Sequence, residues 1–261
     1  MKSLTKPGQV RSKQINDKDN RLLTEDDAIM KRWTEYCEDL YNYNITVDQN
    51  VFRTQTSNEE LNLPILKEEV IAAVNSLKQG KSPGVDNIPA EFLKAGGDQI
   101  IDALHGICQR IWSARSWPEQ WTTSLVIPLP KKGNLRMCQN HRTISLISHQ
   151  SKVMLRIILN RLKSKAEEIL SEEQAGFRLK RSTAEQIFNI RVLIEKHLTH
   201  QQESHHNFID FKKAFDRVWH GGLRHSLRRF NIDEGLVEVM ASLYQQASSA
   251  VLLDGNIGKR F

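Results

Sequence analysis

The chain has few cysteines, no long apolar run and no repeated segment, and each absence narrows the class of protein. Its three cysteines (Cys37, Cys108 and Cys138) are odd in number and far apart. That spacing indicates neither a disulfide framework nor a zinc knuckle, so we expect a reducing, intracellular setting, nuclear or cytoplasmic. No apolar run reaches the roughly 18 residues that a membrane-spanning helix needs. The polar N-terminus MKSLTKPGQVRSKQ also lacks the apolar core of a secretory signal. We therefore expect a protein that is not secreted and has no membrane partner.

The charge of the chain is unevenly distributed. Its 261 residues are 39% hydrophobic and 26% charged, which is typical of a globular protein with a real core. Residues 131–230 contain 20 basic and 9 acidic side chains, a net charge of +11, whereas residues 1–130 contain 15 basic and 18 acidic ones, a net charge of −3. A basic segment suits a polyanion such as nucleic acid or a nucleoside triphosphate. A set of solvated helix faces explains the same charges equally well.

Apolar periodicity predicts helices joined by short strands. Residues 1–27 predict a flexible lead-in, and residues 44–62 resemble a linker. The predicted helices are 28–43, a stripe from Lys67 that ends at Gly80, a short helix started by Pro89, a helix capped by Asp98, a long helix through Val153 to Ile169, 183–199, 219–230 and one capped by Asp233. The predicted strands are 124–130, 142–148 and 207–211, with a hairpin turn at Asp254-Gly255 and a curtailed return strand.

Two basic motifs could contact phosphates. In PLPKKGN, Lys131 and Lys132 follow a strand at a tight turn, and HRTISL places Arg142 at the start of the next strand. Such a hairpin could fold over a triphosphate, with the arginine forking onto phosphate oxygens; an exposed basic hairpin is the alternative. In EEQAGFRLKRSTAEQIF, Phe177 could anchor the turn, Ser182 or Thr183 could cap the next helix, and the basic side chains would point outward to a template backbone. These basic residues are Arg178, Lys180 and Arg181. A plain helix–helix connection explains this segment as well.

Three further segments have weaker signals. The loop KSPGVDNIP (81–89) contains the cation Lys81 and is explained equally well as a connection before a helix. Trp117 and Trp121 are expected to be core anchors first and base-stacking platforms second. Four histidines in HLTHQQESHH (197–206) suggest zinc, but no cysteine is close, and we interpret the segment as a solvated loop.

The stretch HNFIDFKKAFDRVW (206–219) is the most specific motif of the chain. Apolar residues bracket Asp210, and a carboxylate at the end of a short strand suits a divalent cation. The alternative for Asp210 is a strand-end carboxylate bonded to backbone. Phe215, five residues later, could equally be an ordinary core residue.

Taken in order, these motifs resemble the reverse transcriptases of non-LTR (long interspersed element type) retrotransposons, from about Lys67 to Phe261. The resemblance implies an α+β, right-hand polymerase fold, helix-rich with short antiparallel strands. It also implies that 28–66 is a helix and linker preceding the polymerase domain, that 67–206 is the fingers and that 207–261 is the start of the palm. His141 and Thr143 stand where members of the family usually have an aromatic and a small residue around the arginine, and Leu179-Lys180 replaces a Pro-Gly pair.

The resemblance assigns roles to individual residues. Asp210 is the expected catalytic carboxylate, and it would bind Mg²⁺ together with the backbone carbonyl of Phe211. Phe215 would pack against the sugar of the incoming nucleotide and exclude a 2′-hydroxyl. The residues expected to bind the nucleotide are Lys131, Lys132, Arg142, Phe211 and Phe215. The residues expected to contact nucleic acid are Lys81, Arg178, Lys180 and Arg181. The implied partners are an RNA template, a DNA primer and deoxynucleoside triphosphates.

The later Asp-Asp pair of such enzymes does not occur between Asp216 and Phe261. Two metal ions cannot be held by one carboxylate with the geometry that in-line displacement requires. We therefore expect a truncated domain of an RNA-directed DNA polymerase that is inactive alone. The alternative is a non-catalytic, nucleic-acid-binding remnant that uses the basic segment 131–230.

Overall fold

The computed structural model describes residues 14–42 and 63–261. The helices in these ranges are α1 (Asp26–Tyr41), α2 (Lys67–Asn75), α3 (Ala90–Ala95), α4 (Gly97–Ala114), α5 (Glu119–Thr122), α6 (His149–Ile169), α7 (Thr183–Thr199), α8 (His220–Arg229) and α9 (Glu234–Gln246). The strands are β1 (Ile15–Asn16), β2 (Leu22–Leu23), β3 (Thr123–Pro130), β4 (His141–Leu146), β5 (Ser248–Leu253) and β6 (Asn256–Arg260). The expected mixture of helices and small sheets is confirmed.

A four-stranded sheet has the strand order β4-β3-β5-β6. The pairs β3–β4 and β5–β6 are antiparallel hairpins, and the turn of the second is Asp254-Gly255, as the sequence predicts. The central pair β3–β5 is parallel, because the chain between β4 and β5 returns to the sheet in the direction of β3. Ser124 Oγ and Ser249 Oγ are 2.8 Å apart across this parallel pair. The expectation of antiparallel strands alone is therefore incomplete.

Helix α1 packs against the sheet through the apolar stripe that its periodicity predicts. Its buried residues are Ile29, Trp33, Cys37 and Leu40. They form a core cluster with Ile15 of β1, Cys138, and the central-strand residues Val126 and Val251. Because Val126 and Val251 are fully buried, this face of the sheet is closed by α1.

Helices α4 and α9 build a second part of the core. The predicted buried face of α4 is confirmed at each position: Ile101, Leu104, Cys108, Ile111 and Trp112. The indole N–H of Trp117 donates to Ser242 Oγ of α9 at 3.0 Å, and its backbone N–H donates to Gln246 Oε1 at 3.0 Å. Trp117 and Trp121 are both buried, which confirms the core-anchor interpretation.

Several predicted boundaries are corrected by the structure. Within the expected flexible lead-in, β1 and β2 form a two-stranded hairpin that buries Ile15. Helix α2 ends at Asn75, five residues before Gly80, and Asp98 lies in the first turn of α4 instead of at its cap. The expected linker 44–62 lies outside the described residues.

The predicted strand 207–211 is wrong, since these residues form neither helix nor strand. An extended apolar run becomes a strand only where a neighbouring strand supplies hydrogen-bond partners. The described sheet ladders do not include this segment.

The chain divides into two compact units. The second unit, Leu159–Phe215, contains the C-terminal part of α6 and all of α7, and α7 has no buried side chain. The first unit contains the rest of the chain. The functional boundary between fingers and palm at 206/207 stays a prediction. Over residues 14–42 and 63–261, none of the helices combines the length and apolar character that crossing a membrane would demand.

Candidate nucleotide and nucleic-acid interface

The β3–β4 hairpin places the predicted nucleotide-binding cations along one edge of the sheet. Leu129 lies directly opposite Arg142 in the ladder, and the backbone N–H of Lys131 donates to Asn140 O at 2.9 Å. Residues opposite each other share a face, and side chains alternate along a strand. Lys131 and Arg142 are therefore on the same face of the hairpin. Both side chains are exposed, as is Lys132 in the turn.

The two residues that flank Arg142 are fixed on the opposite face by α1. The His141 ring makes an edge-to-face contact with Trp33, with the ring centroids 4.9 Å apart. The Tyr41 hydroxyl donates to Thr143 Oγ1 at 3.0 Å. Because His141 and Thr143 are tied to α1, Arg142 between them projects away from the helix. The unusual flanking residues thus have structural partners in this chain.

Burial changes the titration of the groups between α1 and the hairpin. It lowers the pKa of His141, opposed in part by the hydrogen bond between the ring Nδ1 and the Met137 carbonyl, and it raises the pKa of Tyr41 and of Tyr36. A lowered histidine pKa favours the neutral ring at neutral pH. The face next to α1 is consequently neutral at His141, and the positive charge of the hairpin lies on the Arg142 side.

The loop 81–89 packs on the segment that follows β4. Gly84 is buried, and a Cβ added there would lie 2.4 Å from the backbone nitrogen of Ser148. The side chain of Lys81 at the start of the loop is exposed. The loop ends at Pro89, which begins the short helix α3 as predicted.

The connection between α6 and α7 corrects one predicted contact. The Arg178 guanidinium donates to Ser171 O at 2.7 Å and to Glu167 Oε2 at 3.1 Å, and only 12% of its side chain is exposed. The expectation that Arg178 points outward is therefore wrong, because its guanidinium bonds the Glu167 carboxylate of α6 and a carbonyl of the turn that follows the helix. Lys180 is exposed, and Arg181 pairs with Glu185 at 3.1 Å.

The same connection confirms a predicted cap and overturns a predicted anchor. Ser182 Oγ accepts from the backbone N–H of Glu185 at 3.2 Å, so Ser182 is the N-cap of α7. Phe177, expected to anchor the turn, is 91% exposed. Its ring instead contacts Phe215 edge-to-face, with centroids 6.0 Å apart.

The segment around Asp210 is open to solvent. Asp210 is exposed, and the exposed fractions of Phe211 and Phe215 are 76% and 79%. Asp210 and both phenylalanine rings are therefore presented to solvent in a segment without regular secondary structure. The role of Asp210 as a metal ligand stays a prediction.

Metal-ligating residues do not cluster in the part of the chain that the structure describes. No group of three or more His, Cys, Asp or Glu side chains in residues 14–42 and 63–261 could hold a metal ion. In the histidine-rich segment, Ser204 Oγ and His206 Nε2 are 2.8 Å apart, and the side chain of His205 is 91% exposed. The interpretation as a solvated loop is confirmed for residues 200–206, whereas residues 197–199 are the end of α7 and His197 is half-buried.

A cavity of about 200 Å³ lies beside α1 and the β5–β6 turn. Its lining includes the carboxylates of Asp26, Asp27 and Asp254 together with Trp33 and His141. Carboxylates repel phosphate groups, so this cavity is unsuited to a nucleotide. The exposed face of the β3–β4 hairpin is the better phosphate surface.

Sequence reasoning missed two residues that hold the strand β4 and the loop 81–89 in place. Tyr41 of α1 is not part of the predicted apolar stripe, and its role follows only from the hydrogen bond of its hydroxyl to Thr143. His149, at the start of α6, is 2% exposed and interacts with the loop 81–89. No local pattern marks a buried histidine of this kind, because its partner is 68 positions away.

A comparison of the chain with known families identifies one family. Residues 129–260, about half of the chain, match the family described as reverse transcriptase (RNA-dependent DNA polymerase). The chain belongs to this family. The matched region includes β4, the hairpin turn and the Asp210 segment.

Curated relatives come from mobile elements. The "Probable RNA-directed DNA polymerase from transposon BS" of Drosophila melanogaster is 37% identical over 163 residues, 61% of this chain and 18% of the relative. The "RNA-directed DNA polymerase from mobile element jockey" of Drosophila funebris is 29% identical over 195 residues, 74% of this chain and 21% of the relative. The "Retrovirus-related Pol polyprotein from type-1 retrotransposable element R2" of Popillia japonica is 27% identical over 177 residues, 66% of this chain and 23% of the relative.

These relatives confirm the resemblance to reverse transcriptases of non-LTR retrotransposons. The aligned part of the chain spans about a fifth of the length of the curated relatives it matches.

Proposed function

We propose that this chain is the fingers and the start of the palm of a right-hand, RNA-directed DNA polymerase, with 67–206 as fingers and 207–261 as palm. The observation that carries the proposal is the β3–β4 hairpin. Arg142 is exposed between two residues that are tied to α1, on the same face as Lys131. This arrangement presents fixed cations to a phosphate group, and it lies in the region shared with the reverse transcriptase family.

The hairpin would bind the triphosphate of an incoming deoxynucleotide. Arg142 would donate two parallel hydrogen bonds to phosphate oxygens, and Lys131 and Lys132 would add charge at the turn. Such cations stabilise the negative charge that develops during phosphoryl transfer. Phe215 would pack against the sugar and Phe211 would also contact the nucleotide, and the large exposed surface of both rings supports contact with a ligand.

The template would be contacted through backbone phosphates. Lys81 and Lys180 are the exposed cations suited to this role, and Arg181 would act from its ion pair with Glu185. Phosphate contacts of this kind position a nucleic acid without reading its sequence. Arg178 is left out of this set, because its guanidinium already bonds Ser171 O and Glu167 Oε2.

Mg²⁺ is the cofactor expected from the family, and Asp210 with the Phe211 carbonyl would be its first ligands. The described residues do not fit a complete site. Asp210 is in an exposed segment without regular structure, and no described group of three ligating side chains exists. We assign no step to a metal ion and expect the 261-residue chain by itself to extend no primer, since two-ion catalysis needs carboxylates beyond Asp210. Primer extension on an RNA template with Mg²⁺ tests this; product that vanishes in Asp210→Asn would contradict it.

Nucleotide binding is tested by titrating the 261-residue chain with a fluorescent deoxynucleoside triphosphate. Arg142→Ala should raise the dissociation constant about tenfold, because charge-assisted hydrogen bonds to phosphate are lost. Arg136→Ala is the matched control, since Arg136 is an exposed arginine of the same hairpin connection. Equal effects of the two substitutions would mean that the hairpin binds by charge alone. No measurable binding by the wild-type chain would refute the nucleotide role.

A second candidate function is non-catalytic binding of nucleic acid, favoured by the net charge of +11 in residues 131–230. Filter binding to single-stranded RNA between 50 and 200 mM salt should give a steep negative slope, with about −0.7 in log–log units for each phosphate contact. Lys180→Ala should reduce the slope, whereas Lys31→Ala on the exposed start of α1 should not. A flat slope would contradict both candidate functions.

A further inference from the structure

The loop 81–89 is fixed to the junction between β4 and α6 by a close backbone approach. At Gly84, an added Cβ would lie 2.4 Å from the nitrogen of Ser148 and 2.6 Å from the carbonyl carbon of Ile147. Both atoms are backbone, so neither can rotate away as the end of a flexible side chain would. A second constraint is the turn in which the Asn87 N–H donates to Gly84 O at 3.1 Å. Only a residue without a side chain fits this contact.

His149 makes the other contact between the junction and the loop. It is the first residue of α6 and is 2% exposed. Its Nε2 lies 3.3 Å from the carbonyl oxygen of Lys81. Since a carbonyl oxygen only accepts, the imidazole N–H is the donor. The ring thus holds the backbone of Lys81 while the Lys81 side chain remains in solvent.

The backbone immediately before Lys81 is held as well. The N–H of Gly80 donates to Glu91 Oε1 of α3 at 2.6 Å. Hydrogen bonds from two different helices therefore act on two consecutive residues. An exposed lysine normally loses binding energy to the disorder of its own backbone and side chain. Fixing the backbone removes part of that loss before a ligand arrives.

We propose that His149 is a positioning residue for Lys81, which it aims at the phosphate backbone of a bound RNA strand. The inference rests on the proposed nucleic-acid function of this chain. The junction Ile147–His149 also directly continues β4, the strand of Arg142. The segments that hold the proposed template cation and the proposed nucleotide cation are therefore continuous in the chain.

The test is a double-mutant cycle for RNA binding by the 261-residue chain. The variants are Lys81→Ala, His149→Phe and the double variant, with His149→Gln as the conservative replacement. Phenylalanine keeps the buried volume and removes the donor, and the Gln amide can still donate to the Lys81 carbonyl. Phenylalanine also removes the imidazole Nδ1, which is buried and has no hydrogen-bond partner among the described residues. Lys78→Ala in both backgrounds is the matched control, because Lys78 is an exposed lysine of the same loop region without the histidine contact.

We expect Lys81→Ala to weaken RNA binding about fivefold in the wild-type background, the upper range for one exposed ion pair. In the His149→Phe background the same substitution should weaken it less than about twofold, because the lysine has already lost its position. His149→Gln should restore most of the Lys81 effect. Lys78→Ala should have the same effect in both backgrounds.

Hydrogen exchange of a peptide covering 78–89 adds a readout in the absence of RNA. His149→Phe should increase exchange in this peptide while that of α4 is unchanged. If His149→Phe does not fold, Gly84→Ala takes its place in the cycle, since the added Cβ displaces the same loop.

Equal Lys81→Ala effects in the two backgrounds, with normal RNA binding by the wild-type chain, would overturn the positioning role and leave the proposed function intact. A wild-type chain that does not bind RNA, or binds with a flat salt dependence, would overturn both.

Discussion

Replacing Trp33 by alanine tests whether α1, which precedes the region shared with the reverse transcriptase family, is part of the same folded core. Trp33 is 3% exposed and makes edge-to-face contacts with Tyr36 and His141, with ring centroids 5.9 Å and 4.9 Å apart. A buried tryptophan replaced by alanine loses about 3–5 kcal/mol through lost burial and the cavity that remains. The whole stability of a domain is about 5–15 kcal/mol. The substitution should therefore remove a large part of the free energy of unfolding.

The measurement is urea unfolding followed by far-UV circular dichroism. With a slope of about 2 kcal/mol per molar urea, the midpoint should fall by about 2 M. Phe92→Ala is the matched control: Phe92 is a helical aromatic residue in the same structural unit but is 57% exposed. Phe92→Ala should lower the free energy of unfolding by less than about 1 kcal/mol. A shift for Trp33→Ala no larger than that of the control would refute the assignment of α1 to the core.

Three other predictions follow from the described contacts. Burial lowers the pKa of His141, so the unfolded chain binds a proton below about pH 6.5 before the folded chain does. The free energy of unfolding should be full above that pH and decline as the pH falls toward the folded pKa, more steeply than in His141→Gln. An identical pH dependence of the melting temperature in the two proteins would contradict this. Burial raises the pKa of the Cys108 thiol to about 12, so at pH 8 this thiol should react with a thiol reagent only after unfolding. Rapid reaction of Cys108 in the native protein, located by peptide mapping, would be inconsistent with the packing of α4. Ser182→Ala should destabilise the start of α7 by about 1 kcal/mol and speed hydrogen exchange at the Glu185 amide, and Ser182→Asp should restore its protection. Unchanged exchange at Glu185 in Ser182→Ala would exclude the cap.

Much of the helical fold follows from local patterns in the sequence. The spacing of Leu104, Cys108 and Ile111 names the buried face of α4, because helical periodicity is a property of neighbouring residues. Asp233 caps α9 through the Leu236 N–H, and Asp254-Gly255 forms the turn of the β5–β6 hairpin. Each of these features depends on a few turns of one helix or on one tight turn.

The errors arise where the outcome depends on contacts that the local sequence pattern does not specify. The apolar run 207–211 has the composition of a strand, but no described strand pairs with it. Arg178 has the sequence context of an exposed cation, yet the turn after α6 folds so that the guanidinium bonds Ser171 O and Glu167 Oε2. The polar lead-in contains Ile15, which is buried because α1 and the sheet supply a surface for it.

The sequence by itself determined the family, the order of the motifs and the type of most helices, since these are written in residue identity and short-range spacing. Only the tertiary structure decided which cations are available. It turned Arg142 outward by tying His141 and Thr143 to α1, turned Arg178 inward, and held Lys81 through His149. The physical reason is that a side chain's direction depends on the residues that it and its neighbours contact. For Arg142 and Lys81 these partners lie far away in the chain, and for Arg178 they depend on how the turn after α6 folds.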